Sequence, residues 1–394
     1  MRLPLSVQMT TQKNRPGAGS FFELDLTVVL AALALFLSAL EYLIPKPLPF
    51  LRLGIANLPL LAALTLLSGR RYALLVILKI AGQGLISGTL FSWIMVFSAG
   101  GSIAAGLAMY CLHRLAKQHL SLVGLSVAGA FASTVAQLVL ARWWIFGPGA
   151  WYIAPPFLAA GLVSGTLLGL FANSFVARSR WLAAWKEGMS EAAGTYNTGL
   201  YRAPTGVAGS SLSTGAAAGT GATAVSPSRI LLLARAALAL ILSVALLFSR
   251  SIPIQVATAV LASILLLAAG RRIHLIPLFV MTAGIIAFNL AVPVGQVLFE
   301  IGRFPITLGA LVTGIKKALA VEGMIFVSRW FLSTGLRLPG RFGVLAGSVL
   351  ARLDRLFEAG RRTAQGIPRS QWLRDPAGSV DTILLSCVPA PDPR

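Results

Sequence analysis

Long apolar runs, broken by short basic or proline-bearing stretches, set the pattern of this chain. In the first half they extend over about Thr27 to Ile44, Leu51 to Leu67, Tyr72 to Leu90, Phe91 to Cys111, Leu122 to Ile145 and Ile153 to Val176. In the second half they extend over about Ile230 to Phe248, Ile252 to Ala269, Leu275 to Val292 and Ile306 to Leu332. Runs of this length match the thickness of a hydrocarbon layer crossed as a helix. The pattern predicts an all-α, polytopic membrane fold: an N-terminal bundle of about six helices and a second helical membrane module.

The second run departs from the rest. Its sequence, LRLGIANLPLLAAL from Leu51 to Leu64, places Gly54, Asn57 and Pro59 near the start of a membrane helix, directly after the Pro45 to Pro49 turn. Lipid gives such residues nothing in return, so this end is expected to face protein or a cavity. It points to a small-molecule site: an otherwise apolar pocket near the outer face with a few oriented polar contacts and the Pro45 to Pro49 turn as its lid.

Between the two modules, residues 194–228 change to Gly, Ala, Ser and Thr and read as a flexible linker. The expected organisation is a cytoplasmic segment over 1–26, a first membrane domain over 27–177, a linker over 178–228, a second membrane domain over 229–339 and a tail over 340–394. The tail is basic and amphipathic, including Val349 to Ala359, and reads as a helix lying on the inner leaflet in preference to one docked on a partner.

Composition supports lipid as the solvent: 56% of residues are hydrophobic, 11% are charged and the mean hydropathy is +0.80. The net charge of +21 does not point to nucleic acid, because the basic residues lie between apolar runs and in the tail. Arg70, Arg71, Arg114, Lys117, Arg178 and Arg180 fall in segments assigned to the inside, whereas the outer loops up to residue 230 carry only Lys46, Arg52 and Arg142. By the positive-inside rule the N-terminus and linker face the cytoplasm, in a cell inner membrane. No small-residue cleavage site follows the first run, which is read as a retained helix.

No catalytic motif emerges. The chain has no DDxxD run, no phosphate loop and no HExxH. His113 and His119 lie among Arg114 and Lys117, where solvated polar residues are a better reading than a metal pair, and Cys111 and Cys387 form no ligand spacing. No enzyme activity, metal or cofactor is expected. The candidates for solute contact are Asn57, Lys79, Gln83, Gln137, Trp151 and Tyr152. For Asn57 and Gln137, helix-to-helix hydrogen bonding is an equal alternative. For Trp151 and Tyr152, with Trp143 and Trp144, an interfacial aromatic belt outweighs a ligand cage. Lys79 lies about eight residues, or on the order of 12 Å, beyond Arg71, so it either snorkels to the inner surface or lines a cavity, and snorkelling is favoured. Small residues at four-residue spacing form one face each: Gly161, Gly165 and Gly169 as a helix contact, Ala34 and Ser38 as either a helix contact or a surface for a partner.

The segments PKPLPFLRLGIANLPLLAAL, LKIAGQGLISGTLFSWIMVFSAGGSIAAGLAM, VGLSVAGAFASTVAQLVLA and YIAPPFLAAGLVSGTLLGLF, in that order, resemble the Gx transporter family, also labelled heptaprenyl diphosphate synthase component I. That family is similar to the substrate-binding subunits of energy-coupling factor vitamin transporters. Where it commonly has a His-Asn pair before the glutamine of the fifth helix, this chain has Ala132 and Ser133 before Gln137. Residues 286–319 resemble the transmembrane coupling subunit of the same transporters, in which an outer hairpin leads into a helix near Ile-Thr. Ala359-Gly360-Arg361 is a degenerate counterpart of its ATPase-docking tip, which makes Arg361 a candidate partner contact. The resemblance implies a vitamin-like or hydrophobic solute and cytoplasmic ATPase partners. Its rival is a non-catalytic membrane accessory of heptaprenyl diphosphate synthesis. A catalytic role there would need acidic clusters holding magnesium, and this chain has only 12 acidic residues with no such cluster.

Overall fold

The computed structural model describes residues 18–43, 54–116, 119–197, 229–249, 251–271, 273, 275–290, 296–301, 304–333, 340–366 and 374–387. The first half begins with α1 (Ala18–Leu43). A single 3-10 turn (Ile55–Asn57) then leads into the short α2 (Leu58–Ala63). α3 (Gly69–Ser87), α4 (Trp93–Ala116), α5 (Leu122–Ala141), α6 (Ala150–Arg178) and α7 (Arg180–Asn197) follow. The second half contains α8 (Arg229–Phe248), α9 (Ile252–Ala268) and α10 (Leu275–Leu290). An antiparallel hairpin of β1 (Val297–Ile301) and β2 (Phe304–Thr307) precedes α11 (Leu308–Leu332). α12 (Gly340–Gly366) and α13 (Pro376–Cys387) close the chain.

Among the described residues, four helical stretches are long and apolar enough to cross a membrane: Phe22–Glu41, Trp93–Ala116, Leu122–Trp144 and Ala154–Arg178. The fold is helical and of the multi-pass membrane kind. α3 and α11 fall outside that set because they carry charges within the helix, Arg70, Arg71 and Lys79 in one and Lys316, Lys317, Glu322 and Arg329 in the other. Apolar side chains cover the outer faces of the helices, as on Leu107 and Leu167, where lipid takes the place of a protein core.

Three expectations change. The run Leu51 to Leu67 is not a full span. From Gly54 the chain makes one 3-10 turn and a six-residue helix whose residues are all buried. Gly54 itself has φ +84°, a conformation that side chains disfavour, so the backbone reaches the bundle interior already turned. Leu58 to Leu64 then thread between other helices, away from lipid.

The expected linker begins too early. Residues 180–197 form α7, which buries Trp181, Leu182 and Trp185 in the core shared with α1 and α3. The low-complexity remainder, 198–228, lies outside the described residues.

The tail does not lie free on a leaflet. α12 inserts Val349, Leu353 and Leu356 into the core of the first half, sets Phe357 edge-on against Phe36 at 5.0 Å and pairs Arg352 with Asp25. α13 adds Ala377 and Leu384 to the same core. Its Asp381 caps α7, accepting from Ser179 Oγ, from Arg180 N at 3.1 Å and from Trp181 N at 3.2 Å. An amphipathic stripe covers protein as readily as it covers lipid, and here the protein surface of α1 takes it.

The two halves also share a second core. Trp93, Phe97, Ala141 and Phe157 pack with Leu246, Leu266, Val321 and Trp330. Phe91 donates its backbone N–H to Ser328 Oγ at 3.2 Å and stacks edge-on against Phe331 at 5.0 Å.

Candidate functional site

The site is built where α5 and α6 press together. A side chain at Gly165 would meet Ala130 Cβ at 2.7 Å, and one at Gly169 would meet the backbone of Val123 at 2.6 Å. The glycine row therefore allows backbone contact, and Ser126 uses it, donating to Gly165 O at 2.7 Å. This fixes one wall of a cleft. The other walls come from α1, the Gly54 turn, α3 and α4.

The lining of the cleft is polar. Lys79 and Gln83 reach it from α3, Ser98 and Ser102 from α4, Ser133, Thr134 and Gln137 from α5, and Asn57 and Glu41 from the opposite side. Apart from glycine and alanine, Leu168 is the one apolar residue there. The lining carries more polar side chains than expected, while aliphatic carbon still makes up much of its surface. The free space is about 30 Å³, room for about two waters at this size.

Lys79 is 2% exposed and does not snorkel. Its Nζ donates to Asn57 Oδ1, so the turn that begins at Gly54 supplies an acceptor at the middle of α3. A buried ammonium needs such acceptors, and Asn57, immediately before the short α2, supplies one. Glu41 lies 4% exposed on the same cleft, although its position near the end of α1 gave no sign of this. Gln83 is held at both amide atoms: its Nε2 donates to Ser38 Oγ at 2.7 Å and its Oε1 accepts from Ser98 Oγ at 2.8 Å. Gln137 donates from Nε2 to Ser133 Oγ at 3.1 Å, and its buried Oε1 has no partner among the described residues.

Of the sequence candidates, Asn57, Lys79, Gln83 and Gln137 come together. Trp151 and Tyr152 do not: they are 63% and 72% exposed at the start of α6, and Arg142 lies over the Trp151 ring at 5.2 Å. That position fits the aromatic belt. Ala34 is fully buried among the chain's own helices, and the half-buried Ser38 accepts from Gln83, which fits the helix-contact alternative for this face. Arg361 is exposed, but it lies within α12, with Gly360 against Ile383 and Phe36, and not at a helix tip. The Pro45 to Pro49 turn, expected as a lid, lies outside the described residues.

The hydroxyl lining escaped sequence reading. Its signal was present: Ser98 and Ser102, and Ser126, Ser133, Thr134 and Gln137, repeat at helical spacing and share a face. Among the described residues no group of three His, Cys, Asp or Glu side chains could hold a metal ion.

Comparison with known proteins adds two matches. Residues 232–334 match the model of a domain of unknown function, DUF8519. No curated protein and no solved structure matches the chain. The segment that carries the cleft, residues 30–175, matches the family model of heptaprenyl diphosphate synthase component I.

Proposed function

We propose that the chain is the solute-binding component of a membrane transporter, taking up a small polar, vitamin-like molecule in the cleft of its first half. The observation that carries this reading is the convergence of Asn57, Lys79, Gln83 and Gln137 from separate elements on one cleft inside a membrane bundle. Polar groups that serve only to hold two helices together need not converge, whereas a solute site requires it. The polar lining favours a hydrogen-bonding solute over the hydrophobic one that the sequence left open. Release and re-entry would draw energy from cytoplasmic ATPase subunits, since the chain carries no phosphate loop. In this reading the N-terminus and the 198–228 linker face the cytoplasm, and protease added outside intact spheroplasts leaves the linker uncut.

The family match favours a second reading, a non-catalytic membrane accessory of heptaprenyl diphosphate synthesis. A long prenyl chain asks for an extended apolar groove, and the cleft described here is small and polar. The full chain purified into nanodiscs separates the two. Denaturation should release a small polar molecule detectable by mass spectrometry, and the same sample should not bind heptaprenyl diphosphate. Prenyl diphosphate binding with no polar solute released would replace transport with the accessory role.

A further inference from the structure

Three amides face the cleft, and their hydrogen-bonding states differ. Gln83 has protein partners at both amide atoms, and Asn57 Oδ1 accepts from Lys79. Gln137 has a partner at Nε2 alone; its Oε1 is buried with none. Swapping the two ends of the amide would move the vacancy to nitrogen without filling it. Native interiors leave few such atoms, and one on the wall of a cleft is a place for a ligand. Two neighbours preserve the arrangement: a side chain at Gly101 would collide with Gln137 Nε2, and one at Gly161 would meet Thr134 Oγ1 at 2.5 Å.

Building on the solute-binding reading above, we infer that Gln137 is the specificity-determining contact and that the solute carries an uncharged amide, lactam or ureido edge. Oε1 accepts from the solute N–H. The second hydrogen on Nε2, beyond the one given to Ser133, meets the adjacent carbonyl. Such an edge presents donor and acceptor side by side, as the glutamine does. Gln83, with Ser38 and Ser98, belongs to the scaffold. The cleft as it stands has room for about two waters, so a solute of this kind widens it on binding, and the wider form is the one in which Oε1 gains its missing partner.

The test uses the full chain in nanodiscs and matched probes: benzamide, δ-valerolactam and imidazolidinone, each against its fully N-methylated counterpart. The N–H compounds should raise the thermal midpoint of the wild type and bind at least tenfold more tightly than the methylated ones. Gln137→Leu should abolish that preference without lowering the solute-free midpoint, because it removes an unsatisfied buried atom. Gln137→Glu, which keeps an acceptor, should retain the preference for N–H. Equal binding of methylated and parent probes would overturn the role of Gln137 and leave the solute site standing. A solute-free midpoint lowered by Gln137→Leu, with no probe shifting the wild type, would make this amide helix glue. If purified protein also released no polar solute, the transport reading would fall with it.

Discussion

The two halves of the molecule hold the same kind of lysine–amide pair and use it differently. In the first half, Lys79 donates to Asn57; in the second, Lys317 donates to Asn289 Oδ1 at 2.9 Å, and Thr282 donates to Glu322 nearby. Among the described residues the second set joins α10 to α11 alone, a pair of rungs across one helix contact. The first set is part of a wall to which α3, α4, α5, α6 and the Gly54 turn all contribute. A buried lysine in a membrane bundle therefore does not by itself mark a site. The mark is convergence from several elements around space, with one atom left over.

The strongest break in this comparison is at Gly169. Gly169→Leu drives a side chain into the Val123 backbone and forces α5 from α6, at about 3 kcal/mol or more for overpacking of this kind. Thermal midpoint and solute binding should both collapse. Gly347→Leu in α12, where nothing lies within 4 Å, should leave both intact. A tolerated Gly169→Leu would mean that the cleft does not depend on the α5–α6 contact.

Next come two substitutions of similar chemistry in the two halves. Asn57→Leu takes an acceptor from the buried Lys79 and Asn289→Leu one from the half-buried Lys317, each worth about 2 kcal/mol for a hydrogen bond to a charged group. Both should lower the thermal midpoint. Solute binding should fall tenfold or more with Asn57→Leu and stay unchanged with Asn289→Leu. Equal losses of binding would erase the distinction between site and rung.

That distinction was half legible in the sequence. Asn57 stood out because an amide beside Gly54 and Pro59 contradicts a lipid-facing helix, and the contradiction held as a local fact. The depth of Lys79 is not legible along α3 alone, because its acceptor comes from a segment 22 residues away in sequence. The tail was misplaced for a related reason. Amphipathicity reports that Val349, Leu353 and Leu356 need cover, but not whether lipid or α1 supplies it. Serines at helical spacing were visible as a pattern, yet only the packing of α4, α5 and α6 turns their faces to one cleft.

The capping of α7 by Asp381 tests whether the halves act as one body. Asp381→Ala removes an acceptor for one hydroxyl and two backbone N–H groups, at about 1–2 kcal/mol for a helix cap. Limited proteolysis should then cut between α12 and α13 sooner than in the wild type, while solute binding stays near normal. An unchanged digestion rate would assign the hold on the tail to Ala377, Ile383 and Leu384 alone.

The smallest expected effect is at Arg352, whose guanidinium meets both the carboxylate and the backbone carbonyl of Asp25. The two side chains are 25% and 37% exposed, so water and salt screen the pair, and Arg352→Ala should cost about 0.5–1 kcal/mol. The apolar face of α12 carries most of the docking on α1, through Val349, Leu353 and Leu356. Raising the salt concentration should therefore reduce the wild type toward the variant without releasing α12. The readout is hydrogen exchange along residues 340–366. Release of the whole helix in Arg352→Ala would show that charge, rather than apolar burial, joins the tail to the half that holds the cleft.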